Sequence, residues 1–268
     1  MNTTHSSRRL LVTGATGGIG RAICQVLLQQ AQTAKQELHV ALAASRPSAE
    51  LAQLTAELND AGARAIGLHA DLGVAESCQQ LVDDAHTFCG GLDGLVSNAG
   101  MTRPAPLARQ TMEDWERVFA VNTRAAWVLA CAAHAALAQS HGAIVAVASM
   151  SGTFPHPGYG AYSASKAALI MLCRQLAQEW SCEGIRVNTV SPGMIRTPLT
   201  EPVYQDSEVA LRRQTMVPLQ RIGTPDDVAQ VVAYLLSPQS AYVTGQNLRV
   251  DGGLCDHLLA TIPGRARS

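Results

Sequence analysis

Short aliphatic runs alternate with longer amphipathic stretches along almost the whole chain, and this alternation most limits the folds open to it. Seven runs read as strands: Arg9–Thr13, Leu38–Ala43, Ala65–His69, Gly94–Ser97, Ala143–Ala148, Arg186–Val190 and Asn247–Val250. Several are apolar nearly throughout, as strands covered on both faces are. Between them Gly20–Gln30, Ala49–Ala61, Ala75–Phe88, Met112–Ala138, Tyr159–Trp180 and Pro225–Leu236 read as helices. The last has a marked start, with Thr224 as N-cap, Pro225 in the first helical position and Asp226 and Asp227 in the first turn. Strands alternating with helices in this way pack as βαβ units around a parallel sheet. The 268 residues hold no internal repeat, low-complexity tract or Pro/Gly/Ser-rich linker. The expectation is one doubly wound α/β domain over residues 1–268.

One segment departs from the pattern. Pro192, Pro198, Pro202 and Pro218 crowd the stretch before Thr224, around a short polar helix-like piece, Ser207–Gln214. An insertion of this length inside a compact domain is usually functional. It reads as a substrate lid over about residues 194–223, and residues 254–268 read as a tail with an apolar half and a basic end.

Composition closes off several classes. With 20 Lys and Arg against 21 Asp and Glu, the chain has no basic excess to offer nucleic acid. Aromatic residues make up 4% and apolar residues 47%, so the core must be aliphatic. Seven cysteines form no CxxC pair. They read as free thiols of a reducing compartment, packed as small buried hydrophobes. The histidines lack HExxH or Cys/His ligand spacing, so no metal is expected. Met1–Arg9 is polar, without the apolar core of a signal peptide. The longest mostly apolar stretch, Ala125–Ala138, is too short to span a bilayer. These features predict a cytoplasmic protein with no membrane or nucleic-acid partner.

Three motifs carry chemistry. Thr13-Gly14-Ala15-Thr16-Gly17-Gly18-Ile19-Gly20 follows the first strand and opens the first helix. Glycines there permit a tight turn and close backbone approach, and a pyrophosphate can sit on the free N–H groups of the helix start. At the end of the second strand, Ala43-Ala44-Ser45-Arg46 has no acid to take a ribose 2′-hydroxyl. Ser45 and Arg46 offer a hydroxyl and a guanidinium instead, which suits a 2′-phosphate and favours NADP(H) over NAD(H). Finally, Ser149 precedes Tyr162 by thirteen residues, and Lys166 follows Tyr162 by four. Positions i and i+4 share a helix face, so the ammonium is expected to lower the phenol pKa from about 10 toward working pH. That suits a general acid/base for an alcohol or ketone. Ser149 at a strand end can hydrogen-bond the carbonyl oxygen as charge develops on it. Lys35 and Lys166 are the only lysines among the 20 basic residues. A compact ammonium fits this role better than a planar guanidinium.

By these motifs the chain resembles a classical short-chain dehydrogenase/reductase over roughly Arg8–Gly253, and is similar to 3-oxoacyl-[acyl-carrier-protein] reductases. Further matches are Asp71-Leu72 after the third strand, Asn98-Ala99-Gly100 after the fourth, and Val121-Asn122. Pro192-Gly193 with Ile195 and Thr197, Thr224–Asp227, Tyr242–Gly245 and Asp251-Gly252-Gly253 complete the series. The resemblance implies a single-domain Rossmann-type parallel seven-stranded sheet with helices on both faces. It implies catalytic roles for Asn122, Ser149, Tyr162 and Lys166. Tyr162 moves the hydroxyl proton, Lys166 lowers its pKa and holds the nicotinamide ribose, Ser149 stabilises the substrate oxygen, and Asn122 keeps a water in the relay. It implies cofactor contacts from Gly14, Thr16, Gly17, Gly18, Ile19, Gly20, Ser45, Arg46, Asp71, Leu72, Asn98, Ala99, Gly100, Val121, Tyr162, Lys166, Pro192, Gly193, Ile195 and Thr197.

The substrate is then a small carbonyl or alcohol, in a pocket expected from Met101–Arg103, Met150–Thr153, Phe154, His156 and the lid. An acyl carrier protein has weak support as partner, because Ser140 and Glu183 occupy the two positions where related carrier-protein enzymes use basic residues. Apolar residues beyond one stripe on Met112–Ala138 and Tyr159–Trp180, Trp127 and Met171 among them, favour a homodimer or homotetramer. Two other classes remain open: a non-catalytic NADP-sensing regulatory protein, and a methyltransferase, which would leave Tyr162 and Lys166 unexplained.

Overall fold

In the computed structural model, which describes residues 7–262, seven parallel strands form one sheet in the order β3–β2–β1–β4–β5–β6–β7. They are β1 (Ser7–Thr13), β2 (Glu37–Ala44), β3 (Arg64–His69), β4 (Gly94–Ser97), β5 (Ala143–Val147), β6 (Arg186–Pro192) and β7 (Asn247–Val250). The helices are α1 (Gly18–Thr33), α2 (Ala49–Asp60), α3 (Ala75–Cys89), α4 (Met112–Phe119), α5 (Ala125–Ser140), α6 (Tyr162–Trp180), α7 (Glu201–Tyr204), α8 (Ser207–Met216) and α9 (Pro225–Leu236). This is the Rossmann-type sheet expected, with helices on both faces.

The strand period of two explains how one apolar run serves two cores. Leu10, Val12, Val40 and Leu42 face a layer built from α1, α2 and α9. Leu11, Ala41 and Ala43 face the opposite layer, built from α3, α5 and α6. Winding starts at β1 and runs outward through β2 and β3, then returns to β4 on the other side. A crevice opens at such a switch point, beyond the carboxyl ends of the strands. The glycine turn after β1 and the Asn98 loop after β4 both lie there.

Three helix boundaries differ from the sequence reading. The expected helix Met112–Ala138 is interrupted by a π turn at Ala120–Arg124, which separates α4 from α5. Helix α6 begins at Tyr162 rather than Tyr159, because Gly158 and Gly160 take left-handed φ values of 82° and 54° just before it. Helix α1 runs on to Thr33, and the turn before β2 is short, with Lys35 at φ 54°. The α9 start is as expected, since the Thr224 hydroxyl accepts from Asp227 N–H and the Asp227 carboxylate accepts from Thr224 N–H.

The stretch 194–223 contains α7 and α8. Cys24, Cys78, Cys89 and Cys173 are buried as expected, but Cys131 and Cys182 are exposed on helix ends and faces turned to solvent. Among the described residues no helix is long and apolar enough to cross a membrane. The start of the polar N-terminal segment (1–6) and the basic end of the tail (263–268) lie outside the described residues.

Candidate active site

The glycine turn is built by contacts that exclude side chains. Gly14 has φ 64°, and a β-carbon on it would lie 2.9 Å from the Ala99 α-carbon. Gly18 abuts Thr197 and Pro198, each 3.0 Å from where its β-carbon would be. Thr13 locks the two loops together: its hydroxyl donates to the Val96 carbonyl and accepts from Asn98 N–H and Ala99 N–H, both at 3.1 Å. The Asn98 amide donates in turn to the Thr13 and Gly14 carbonyls at 3.1 and 3.0 Å. Helix α1 has Gly17 at its N-cap and so no side-chain cap, which leaves its first N–H groups for a ligand. These features fit a dinucleotide pyrophosphate.

A cleft of about 490 Å³ lies over this turn. Of the sequence-predicted residues, Gly14, Thr16, Gly17, Gly18, Ile19 and Gly20 form its floor. Ser45, Asp71 and Leu72 line one end, Asn98, Ala99, Gly100 and Val121 the wall, and Thr197 the lid side. Six others are not among its lining residues: Tyr162 and Lys166, whose contacts follow below, and Arg46, Pro192, Gly193 and Ile195. Arg46 is exposed next to Ser45. Pro192 pairs with Val250 at the end of β6, and Gly193 N–H donates to the Val250 carbonyl at 2.9 Å. Ile195 is buried and bridges to Gly223.

Two arginines line the cleft: Arg103, which the sequence placed in the substrate pocket, and Arg117, to which it did not point. Arg103 pairs with Asp114 at 3.3 Å. Arg117 packs over Gly73 and donates to Asp71 at 2.7 Å. That guanidinium is the main reason the Asp71 carboxyl is held below its usual range. No local signal marks Arg117, because only the packing of α4 beside the β3 end brings it there.

At Gly100, on the cleft wall, Lys166 and Asn122 come together, with Tyr162 beside Lys166 and Ser149 beside Tyr162. A β-carbon on Gly100 would be 3.2 Å from Lys166 Nζ and 3.4 Å from Asn122 Oδ1. Asn122 sits inside the π turn, where the extra residue turns its amide toward Met101. It accepts from Met101 N–H at 2.8 Å, and donates to the Met101 carbonyl and the Ser165 hydroxyl at 3.0 Å. Lys166 is 3% exposed and donates to the Val147 carbonyl at 2.8 Å. Its ammonium lies 5.9 Å from the Tyr162 ring centre, on the shared face that i and i+4 spacing demands. Burial pushes Lys166 down from its ordinary 10.5 to about 8.

The expected lowering of the Tyr162 pKa by Lys166 is corrected by the structure. Burial raises the phenol above its ordinary range, and the Ser149 hydroxyl, hydrogen-bonded to it, is what pulls the other way. The physical reason is that desolvating a group whose charged form is an anion outweighs a single hydrogen bond. Ser149 itself is buried at the end of β5, and its hydroxyl accepts from Ser151 N–H at 3.1 Å. Gly152 lets this turn press against α6, since a β-carbon there would lie 2.8 Å from the Lys166 backbone.

Comparison with known proteins agrees with this geometry. A family model described as enoyl-(acyl carrier protein) reductase matches residues 14–255. The chain is 38% identical to nodulation protein G of Rhizobium sp. (strain N33), over 93% of this chain and 97% of that protein. It is 36% identical to 3-oxoacyl-[acyl-carrier-protein] reductase of Thermotoga maritima, over 91% and 96%. A solved structure named as an NAD(P)-dependent gluconate 5-dehydrogenase of Beutenbergia cavernae, with bound NADP, superposes with a TM-score of 0.84 at 33% identity, over 94% and 98%. The chain therefore belongs to the short-chain dehydrogenase/reductase family of NAD(P)-binding oxidoreductases that act on carbonyl and alcohol groups, and is similar to its 3-oxoacyl-[acyl-carrier-protein] reductases.

Proposed function

We propose that this chain is an NADP(H)-dependent oxidoreductase that transfers a hydride between nicotinamide and a ketone or secondary alcohol, with Tyr162 as general acid/base. The observation that carries the reading is the chain of neighbours Asn122 and Lys166 beside Gly100 on the cleft wall, Tyr162 on the Lys166 face and Ser149 on the phenol. The cleft would hold the dinucleotide with its nicotinamide toward Tyr162, and that ring would supply the hydride chemistry. Tyr162, kept neutral by burial, gives its proton to the substrate oxygen in the reducing direction. Ser149 donates to that oxygen as negative charge grows on it. Lys166, charged at neutral pH with a pKa of about 8, holds ribose hydroxyls and favours the phenolate left behind. Asn122 anchors Met101 and Ser165 and keeps a water between Lys166 and solvent.

NADP(H) is favoured over NAD(H) because β2 ends on Ser45 and Arg46 with no carboxylate, and a solved relative carries NADP. The stretch 194–223 acts as the lid of a single domain, rooted on Gly18 through Thr197 and Pro198. Trp127 and Met171, 49% and 58% exposed on α5 and α6, support a homodimer or homotetramer. Unpaired thiols throughout support the cytoplasm as its compartment.

A second reading, reduction of 3-oxoacyl groups on an acyl carrier protein, is favoured by relatives of that name. Against it, Ser140 donates to the Leu92 carbonyl and Glu183 pairs with His134, so neither offers a cation. The test is NADPH and NADH consumption across acetoacetyl thioesters, simple ketones and sugars, with Tyr162→Phe as control. Turnover that Tyr162→Phe abolishes while NADPH still binds supports the proposal. Substantial turnover by that variant would overturn it. Tight NADPH binding with no turnover of any compound would favour a regulatory protein.

A further inference from the structure

A ring of contacts closes around Tyr162 through a residue outside the four. Ser151 N–H donates to Ser149 Oγ, and Ser151 Oγ in turn pairs with His156 Nδ1 at 3.1 Å. The His156 imidazole stacks on Tyr159 with ring centres 3.8 Å apart and planes 24° from parallel. Tyr159 packs against Tyr162 at 6.2 Å, and the Tyr162 phenol is hydrogen-bonded to Ser149. The His156 N–H donates to Ser163 Oγ at 3.2 Å, tying this loop to the first turn of α6. His156 therefore touches both arms that hold the Ser149–Tyr162 pair: the turn that presents the serine and the ring that flanks the phenol.

The direction of the hydrogen bond to Ser151 depends on the imidazole's tautomer and charge, but its existence does not. In the neutral form Nδ1 can accept from the Ser151 hydroxyl, and in the protonated form Nδ1–H donates to Ser151 Oγ, so the pair stays joined inside a turn where Ser151 is 6% exposed. The groups packed on His156 are Ser151 from the turn, Tyr159 from its own loop, Ser163 from α6 and the Arg213 charge from α8. No carboxylate faces it among the described residues, and burial and Arg213 both favour the neutral form.

We propose that His156 is a positioning residue for the Ser149–Tyr162 pair, which it holds in place through Ser151 and Tyr159. The inference rests on the acid/base reading of Tyr162 given above. Three variants separate its parts. His156→Ala removes both contacts, His156→Asn keeps a hydrogen-bonding atom near the Nδ1 position without a titrating ring, and Ser151→Ala cuts the link to the turn.

With NADPH and any ketone found to be turned over, His156→Ala should lower kcat by about 10-fold or more with NADPH affinity unchanged, as misplacement of reacting groups does. His156→Asn should restore much of kcat. Ser151→Ala combined with His156→Ala should cost little more than either alone. Wild-type kcat in His156→Ala would overturn the inference, as would an equal loss of NADPH affinity. If Tyr162→Phe is dead while His156→Ala is normal, only this inference fails; if Tyr162→Phe is active, the reading beneath it fails. Independently of any substrate, an ultraviolet difference titration referenced to Tyr162→Phe should find the Tyr162 phenol ionising at higher pH in His156→Ala, because the Ser149 hydrogen bond is loosened. No shift there would overturn the inference too.

Discussion

The α-carbon of Gly20 lies so close to the carbonyl oxygen of Gly14 that a β-carbon on it would sit 2.1 Å from that oxygen. No flexible side chain can yield to relieve this, because the opposing atom is backbone. Gly20→Ala should open the turn, weaken NADPH binding by about 100-fold and cost roughly 1–3 kcal/mol of stability, the range for overpacking. Gly62→Ala is the contrast. Gly62 has a left-handed φ of 94°, but nothing lies near its β-carbon position, so it should cost about 1 kcal/mol and leave NADPH binding intact. A fluorescence titration and a urea melt of both variants check the pair.

Arg46 stands exposed beside Ser45 at the adenosine end of the cleft. If it pairs with a 2′-phosphate, Arg46→Ala should reduce the NADPH over NADH preference by about 10-fold, the worth of one charge-assisted hydrogen bond of about 1.5 kcal/mol. An unchanged ratio of kcat/KM for the two cofactors would instead leave Arg117, which already engages Asp71, as the cation to examine.

Ser149 is the group that pulls the Tyr162 phenol down against burial. Ser149→Ala should therefore move the phenol further up, besides removing a donor to the substrate oxygen. Loss of such a donor costs about 100- to 1000-fold in kcat. The alkaline limb of the pH–rate profile should shift upward in whatever activity remains, and a downward shift would contradict the assignment.

Lys166 makes stability depend on pH in a definite direction. Its ammonium is pushed down to about 8 in the folded chain, against an ordinary 10.5. Between those values the unfolded chain binds more protons, so this group's contribution rises with pH across the window and is lost as pH falls through about 8. The size is on the order of 3 kcal/mol, at about 1.4 kcal/mol per pH unit. The buried thiols of Cys24 and Cys173, pushed up to about 12, work oppositely above pH 9. The effect must therefore be read as a difference. Wild-type stability minus that of Lys166→Met should rise from pH 8 to pH 10.5, and a flat difference would show that Lys166 is not buried as a cation. Turnover should be lost in the variant at every pH.

Much of this molecule is legible without coordinates. The strand Gly94–Ser97, the helix Pro225–Leu236 and the strand Asn247–Val250 have the bounds that side-chain periodicity and the Thr224 cap indicate. The glycine turn and the Tyr162–Lys166 spacing are equally local, because a turn's φ values and a helix's i, i+4 geometry depend on neighbouring residues alone. Family membership follows from these motifs in their order.

The tertiary structure decided what depends on distant segments. It broke the helix after Phe119 with a π turn, so that Asn122 could bind Met101 and Ser165. It carried Arg117 over Gly73 to Asp71, joining residues 46 positions apart. It closed the ring through His156, whose partners lie on three separate stretches of chain. It also reversed the expected direction of the Tyr162 pKa. A nearby lysine can be read from spacing, but the balance between its charge and the loss of water is set by every atom packed around the phenol.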